Sequence, residues 1–482
     1  MGAIATQMRH LGMMSVQAQT RIDDIDTPLT PPTDYRALVC IFLAGGNDSN
    51  NMIIPNHNDA TLSNYTVYNA ARTAQGLSVA QANLLPITVP RMGGLSYGLH
   101  PSFGGAAGTG IHELWGMGKL AIVANVGTLV QPTTRTTYLN GTAKKPYQLF
   151  SHSDQTNQYQ NGRSDISTFN GWGGKIADLR NANDNPGALI PMITSIAGAQ
   201  LFTSGQVTLP LAIADSNTAL ANVLNLNGYS NTTANNARLA AFDQLRTQDV
   251  SQQVIKAASH VTDLARQADA ALDQSLEVTT VFPNTSIGRQ LKQVARLIKN
   301  RSALGVNRQV FFVQLGGFDT HNFQVNGQST LFTQLSQAMR AFYEETVLLG
   351  INDKVTQFTM ADFSRTLGPN GTPADVGTDH AWGSHQLVVG GGITGSDFYG
   401  LSGANGTPFP QLAVNTADDS DNGSGARGRW VPATSVEQYA ATLARWFGVA
   451  SADMATVFPK IANFTNSGGI NTDLGFMQPP AS

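Results

Sequence analysis

Cysteine is nearly absent. Cys40 is the single one in 482 residues, so the chain can form no internal disulfide, and cysteine usage says nothing about redox compartment. Cys40 lies inside an apolar run, where a thiol behaves as a small buried hydrophobe. Charge is also sparse. Asp, Glu, Lys and Arg make up 13% of the residues, the net charge is −3, and the densest basic pair is Lys144-Lys145. Without a basic face the chain lacks the electrostatic footprint of a nucleic-acid binder. No apolar stretch approaches the roughly 20 residues that cross a bilayer as a helix, so no transmembrane segment is expected. The first 20 residues lack a basic region followed by an apolar one. Residues 1–33 therefore read as an N-terminal arm or the remnant of a signal.

Glycine is plentiful, at 48 residues, and Asn, Thr and Ser fill the connections. Such a composition implies many turns and long loops around a core, not disorder. The length allows two or three domains, or one large α/β domain with insertions. The expected organisation is one domain over 34–482, with 186–285 as a candidate insertion.

Three apolar runs rich in β-formers each precede an acidic residue. Ala37–Leu43 leads to Asp48, Gln309–Leu315 to Asp319, and Val355–Met360 to Asp362. Continuous runs of this kind suit strands buried on both faces of a parallel sheet. In open α/β sheets, ligands bind beyond the carboxyl ends of the strands. If the three strands are neighbours, three carboxylates crowd one edge, and a cation would relieve their repulsion. The order strand, helix 329–349, strand over 309–360 predicts a βαβ unit with parallel strands. Further strands are expected at Leu120–Val126 and Gln386–Val389. Helices are expected over 111–119, 235–276, 286–303 and 435–447, and residues 56–110 read as loops and short helices.

Asp319-Thr-His321 pairs a hard oxygen ligand with an imidazole just after a Gly-Gly turn. Asp379-His380 and His385 form a second group in a loop with Trp382. Histidines and acids together resemble mixed N/O ligation, which suits zinc, manganese or iron better than calcium. Ser151-His152-Ser153-Asp154 reads either as a helix cap or as a nucleophile at a helix start, where an anion is favoured. Two pattern matches carry little. Gly94-Leu-Ser96-Tyr-Gly98 lacks the strand–turn–helix setting of a nucleophile elbow. Gly390-Gly-Gly392-Ile-Thr-Gly395 runs into a loop where a dinucleotide fingerprint needs a helix.

Several strings, spread in order over residues 34–400, resemble the DUF1501 family, a branch of the alkaline phosphatase and sulfatase superfamily. They are Asp34–Asn51, Gly98-Leu-His-Pro101, Ala124–Thr128, Leu149–Gln155, Gly316-Gly-Phe-Asp-Thr-His321, Ala361–Thr366 and Gly377–Gly383. The resemblance implies an α/β fold, a three-layer α/β/α sandwich with a mostly parallel central sheet and helical and loop insertions. It also implies one or two divalent metals at the strand ends, zinc first, with manganese, iron or calcium as alternatives. The implied metal ligands are Asp48, Asp319, His321, Asp362, Asp379 and His380. Ser151 matches the nucleophile, with His152 beside it, and Arg365 is placed to contact an anion. Phe363 stands where phosphatases carry a histidine ligand. The implied activity is hydrolysis of small phosphate or sulfate esters in a periplasmic or extracellular setting. The alternative is a non-catalytic exported protein on the same scaffold, acting through a partner protein or self-assembly.

Overall fold

The computed structural model describes residues 32–224, 232–246, 248, 253–273, 276–466, 469–470 and 473–479. Nearly all of the expected N-terminal arm lies outside them.

The first long strand is β1 (Arg36–Ala44), whose interior residues are all buried. A small antiparallel sheet follows, made of β2 (Ile53–Pro55), β3 (Leu85–Val89) and β4 (Leu95–Leu99) in the order β2-β4-β3. Residues 56–110 are thus not only loops and short helices. Their strand pattern is hidden because one member is three residues long and the others hold a proline and a glycine. Leu95–Gly98 of the Gly94–Gly98 string falls on β4, a strand and not a strand–turn–helix elbow.

The large sheet is completed by β5 (Leu120–Gly127), β6 (Ile193–Ser195), β7 (Leu211–Ala212), β8 (Arg308–Gly316), β9 (Val355–Ala361), β10 (Ser384–Gly390), β11 (Phe398–Tyr399) and β12 (Thr434–Ser435). Its order is β11-β5-β10-β9-β1-β8-β6-β7, with β12 also paired to β5. β1 pairs in parallel with both β8 and β9, and only β10 runs antiparallel to its neighbours. The three runs that precede Asp48, Asp319 and Asp362 are therefore the three central, adjacent strands. β6 and β7, which fall within 186–285, pair into this sheet beside β8.

Alternation along β1 divides the core in two. Val39, Ile41 and Leu43 face one side and pack with Leu291, Val294, Phe332 and Met339. Leu38, Cys40 and Phe42 face the other and pack with Trp172, Tyr439, Leu443 and Phe447. Helices Ser286–Lys299 and Gln324–Leu348 cover the first face; Trp172–Asp184 and Val436–Phe447 cover the second. The result is a three-layer α/β/α sandwich around a mostly parallel sheet. Helix Ser286–Lys299 forms because Ile287, Leu291, Val294 and Leu297 recur at helical spacing and Thr285 caps its start. Each such buried aliphatic side chain contributes roughly 1.5–3 kcal/mol. Helix Val436–Phe447 starts at a capping box between Ser435 and Gln438.

Three helical expectations shift. The helix expected at 329 begins at Gln324. Helix Trp172–Asp184 was not anticipated, because glycines at its first turn blur the periodicity. The run 235–276 is covered in part by Thr233–Arg246 and Gln253–Asp273. Phe242 and Leu245 are exposed there, and Val250 lies outside the described residues. Among the described residues, no helix is long and apolar enough to cross a membrane.

Candidate metal centre

The carboxyl ends of β1, β8 and β9 bring their loops into close contact. Gly45, at φ 116°, sits so near the backbone of Phe318 and Asp319 that a Cβ would lie 2.3 Å from the Asp319 nitrogen. Gly377 packs as tightly on the backbone of His321. Glycine is required at both positions for the loops after β1 and β8, and the later loop carrying His380, to meet.

Four side chains converge there. Among the described residues, His152, Asp319 and His380 form a group whose ligand atoms all lie within 4.8 Å of one another. His380 Nε2 is 3.0 Å from His152 Nε2 and 3.0 Å from His321 Nε2. Asp319 Oδ1 is 3.4 Å from His152 Nε2, 3.1 Å from His321 Nε2 and 3.4 Å from His380 Nε2. Donors about 2.0–2.2 Å from one tetrahedral ion would stand about 3.3–3.6 Å apart, close to the separations among His152, Asp319 and His380.

The other ring nitrogens explain the orientation. His152 Nδ1 is 2.7 Å from Asp362 Oδ2, His380 Nδ1 is 2.9 Å from the Phe150 carbonyl, and His321 Nδ1 is 3.4 Å from Asp379 Oδ1. An oxygen at Nδ1 holds the proton there and leaves the Nε2 lone pair free for a metal. Asp362 is itself held by the Gly45 N–H, 3.2 Å from Oδ1. Phe363 packs its ring against His152 and His380, with centroids 4.7 Å away in both cases.

The electrostatics fit this arrangement. The hydrogen bond to Asp362 raises the His152 pKa, while burial lowers that of His380. Burial pulls the Asp319 carboxyl upward, but the hydrogen bond and charge of Arg365, with His152 and His321, leave it below its ordinary value. Asp319 is therefore an anion at neutral pH, with its side chain 47% exposed.

The structure brings Asp319 and His380 together with His152, which the family resemblance sets beside the nucleophile match, and His321 Nε2 lies next to Asp319 and His380 outside that three-residue group. Asp362 and Asp379 stand behind histidines, and Asp379 is also 3.1 Å from Arg427. Each lies at the Nδ1 side of an imidazole, away from the Nε2 atoms that face Asp319.

Three placements differ from those the family resemblance implies. Asp48 turns away from the centre and pairs with Arg72 at 2.6 Å. Arg365 is fully enclosed and donates to Asp319, the Gly45 carbonyl and Thr378, so it positions Asp319 and does not face an anion. Ser151 stands at the N-cap position of helix His152–Asn161 without a side-chain cap bond, and its hydroxyl donates to Asp154 at 2.6 Å, not to the histidines. His385 is also apart: it is buried against Phe409, accepts the Asn125 N–H, and burial pushes its pKa down to about 3. Sequence reasoning missed Arg72 altogether, since nothing in Tyr65–Arg72 sets this arginine apart from a solvated one.

Among solved structures, the chain is similar to a sulfatase, PsFucS1, from Pseudoalteromonas sp., at 8% identity and a TM-score of 0.27, over 82% of this chain and 68% of that one. It is also similar to a protein in the alkaline phosphatase superfamily from Vibrio parahaemolyticus, at 11% identity and a TM-score of 0.23, over 79% of this chain and 68% of that one. Likeness at this level carries no argument about chemistry. No curated protein matches the sequence. The sequence pattern of DUF1501, a family of proteins of unknown function, matches residues 35–418, most of the chain and all four converging side chains, and the protein belongs to that family.

Proposed function

We propose that the protein is a metal-dependent hydrolase of small phosphate or sulfate esters. The observation that carries this reading is the convergence of the His152 and His380 imidazoles and the Asp319 carboxylate, with His321 Nε2 beside Asp319 and His380 and each imidazole backed by its own oxygen acceptor. That donor set suits zinc first, with manganese and iron as alternatives. It does not suit calcium, which takes six to eight oxygens. When bound, a divalent ion supplies Lewis acidity toward an ester oxygen and lowers the pKa of water. The chain's own residues do the rest. Asp362, the Phe150 carbonyl and Asp379 hold the three Nδ1 protons. Arg365 fixes Asp319, Phe363 keeps water from beneath His152 and His380, and the exposed edges of Asp319 and His321 leave one side open to a substrate. The attacking oxygen in this reading is water's, because the Ser151 hydroxyl is held by Asp154. The choice of ester and an exported location rest on the family motifs.

A second reading is favoured by a specific observation. Arg365, Arg427 and Arg429 are committed to Asp319, Asp379 and Asp421, so each is engaged by a carboxylate and none is held open for an ester's anionic group. In this reading the protein is an exported surface or assembly component with a structural metal. Turnover of aryl phosphate and aryl sulfate esters by metal-loaded protein, compared with His380→Ala, separates the two. Loss of metal and turnover together supports the hydrolase. A wild type that holds metal and turns over neither ester class supports the scaffold.

A further inference from the structure

The family resemblance implies a ligand at Asp48 and allows a second ion. The residues around Asp48 do not fit one. Arg72 Nη1 donates to Asp48 Oδ2 and to Asn51 Oδ1, both at 2.6 Å. Nη2 donates to Asp48 Oδ1 at 3.1 Å and to the Thr366 carbonyl at 2.9 Å, and Nε to the Leu367 carbonyl at 3.0 Å. All five guanidinium N–H groups are thereby used. Asp48 in turn accepts from Arg72 twice, from the Asn50 N–H and from Gln324 Nε2, which fills the four lone-pair positions of a carboxylate. Both side chains are fully enclosed.

A second observation is independent of the first. Phe363 follows Asp362 directly, where the resemblance implies a histidine ligand. Its ring is buried and packs on His152 and His380, and it approaches Gly46 so closely that a Cβ there would lie 2.4 Å from the ring. An apolar ring occupies the ground where a second ion would need a donor.

We infer that the cation beside Asp48 is Arg72 itself, and that the protein takes a single divalent ion. A fixed guanidinium neutralises Asp48 with unit charge and complete hydrogen bonding, and a second ion would have to expel it from the interior. The count of one rests on the metal reading above; the Asp48–Arg72 pairing does not.

The test is to load chelator-treated protein with zinc or manganese, remove the excess by dialysis, and count bound ions by elemental analysis in wild type, Asp48→Asn and Phe363→His. Thermal midpoints are measured with and without EDTA. The expected result is no more than one equivalent in each protein, and a midpoint loss in Asp48→Asn that EDTA does not change. A second equivalent in wild type that Asp48→Asn removes would overturn the inference. So would an Asp48→Asn deficit that disappears in EDTA, or a second equivalent in Phe363→His that Asp48→Asn in the same chain removes, because that ion would have displaced Arg72 from Asp48. If the metal reading itself is wrong, His380→Ala leaves the metal content unchanged, and the EDTA comparison on Asp48→Asn still decides the role of Arg72.

Discussion

Asp48 and Asp319 begin from the same place and end in opposite states. They follow β1 and β8, neighbouring parallel strands in register from Arg36 opposite Arg308 to Ala44 opposite Gly316. Each carboxylate pairs with an arginine, at 2.6 Å to Arg72 and 2.8 Å to Arg365. Asp48 is sealed, and every acceptor position it has is taken. The Asp319 side chain is 47% exposed, and its Oδ1 faces three imidazoles as well as Arg365. A strand end nominates a carboxylate for function, but what decides its role is how much of its capacity the surrounding protein has already filled.

The sharpest way to break this comparison is Arg72→Ala. It leaves a buried, uncompensated carboxylate, and a loss of about 3–5 kcal/mol of stability is expected. Denaturant unfolding in chelator measures it. A loss below that of an ordinary surface substitution would show that Asp48 is not held by Arg72.

Glu437 supplies a third case, a carboxylate sealed without a cation bonded to it. It is fully buried, and neither carboxyl oxygen has a hydrogen-bond partner of good geometry. Burial raises its pKa to about 7, although its own backbone N–H, Ser435 and the Lys175 charge pull the other way. A folded-state pKa above the unfolded one means that the bound proton stabilises the fold below the ordinary carboxyl range. That contribution is lost as pH rises through about 7. Glu437→Gln is therefore expected to be close to neutral near pH 4–5 and stabilising at about pH 8, by on the order of 3 kcal/mol. Thermal midpoints across pH check this. A difference that does not grow with pH would mean that Glu437 is charged and solvated.

Asp362→Asn tests the second layer around the exposed centre. It keeps the shape and weakens the acceptor for the His152 Nδ1 proton, so metal affinity is expected to fall about 10–100-fold. Competition with a chromophoric chelator gives the ratio, and an unchanged affinity would remove His152 from the ligand set. The smallest effect on stability is expected for Asp319→Asn in chelator, below that of Arg72→Ala, because Asp319 is half-exposed and the amide oxygen that replaces its carboxylate can still accept from the enclosed Arg365. The same variant should lose most of its bound metal by elemental analysis. A large apo destabilisation would make Asp319 a structural residue like Asp48.

Much of the scaffold was legible in the chain. The β1, β8 and β9 runs are continuous and apolar because strands buried on both faces have no polar side, and helix Ser286–Lys299 carries a clean apolar stripe. The three-stranded sheet over 53–99 was not legible, because strands of three to five residues interrupted by Pro86 and Gly98 leave no period to read. At the centre, Asp319, His321 and His380 stood out as residue types after strand ends and in glycine-rich loops. His152 stood out only as part of a Ser-His-Ser-Asp string, in which the resemblance favoured Ser151. Ser151 bonds within its own helical turn, a local competition that composition cannot rank.

The sequence by itself determined which strands are buried and that their carboxyl ends carry acids and imidazoles, since burial on two faces and glycine-rich turns are properties of neighbouring residues. Only the tertiary structure decided which of those groups share one point. Arg72 reaches Asp48 across 24 residues, Asp362 reaches His152 across 210, and Arg365 reaches Asp319 across 46. Hydrogen bonds and ion pairs act over a few ångströms of space, whatever the separation along the chain. The free capacity of each carboxylate is therefore set by partners that no local pattern reveals.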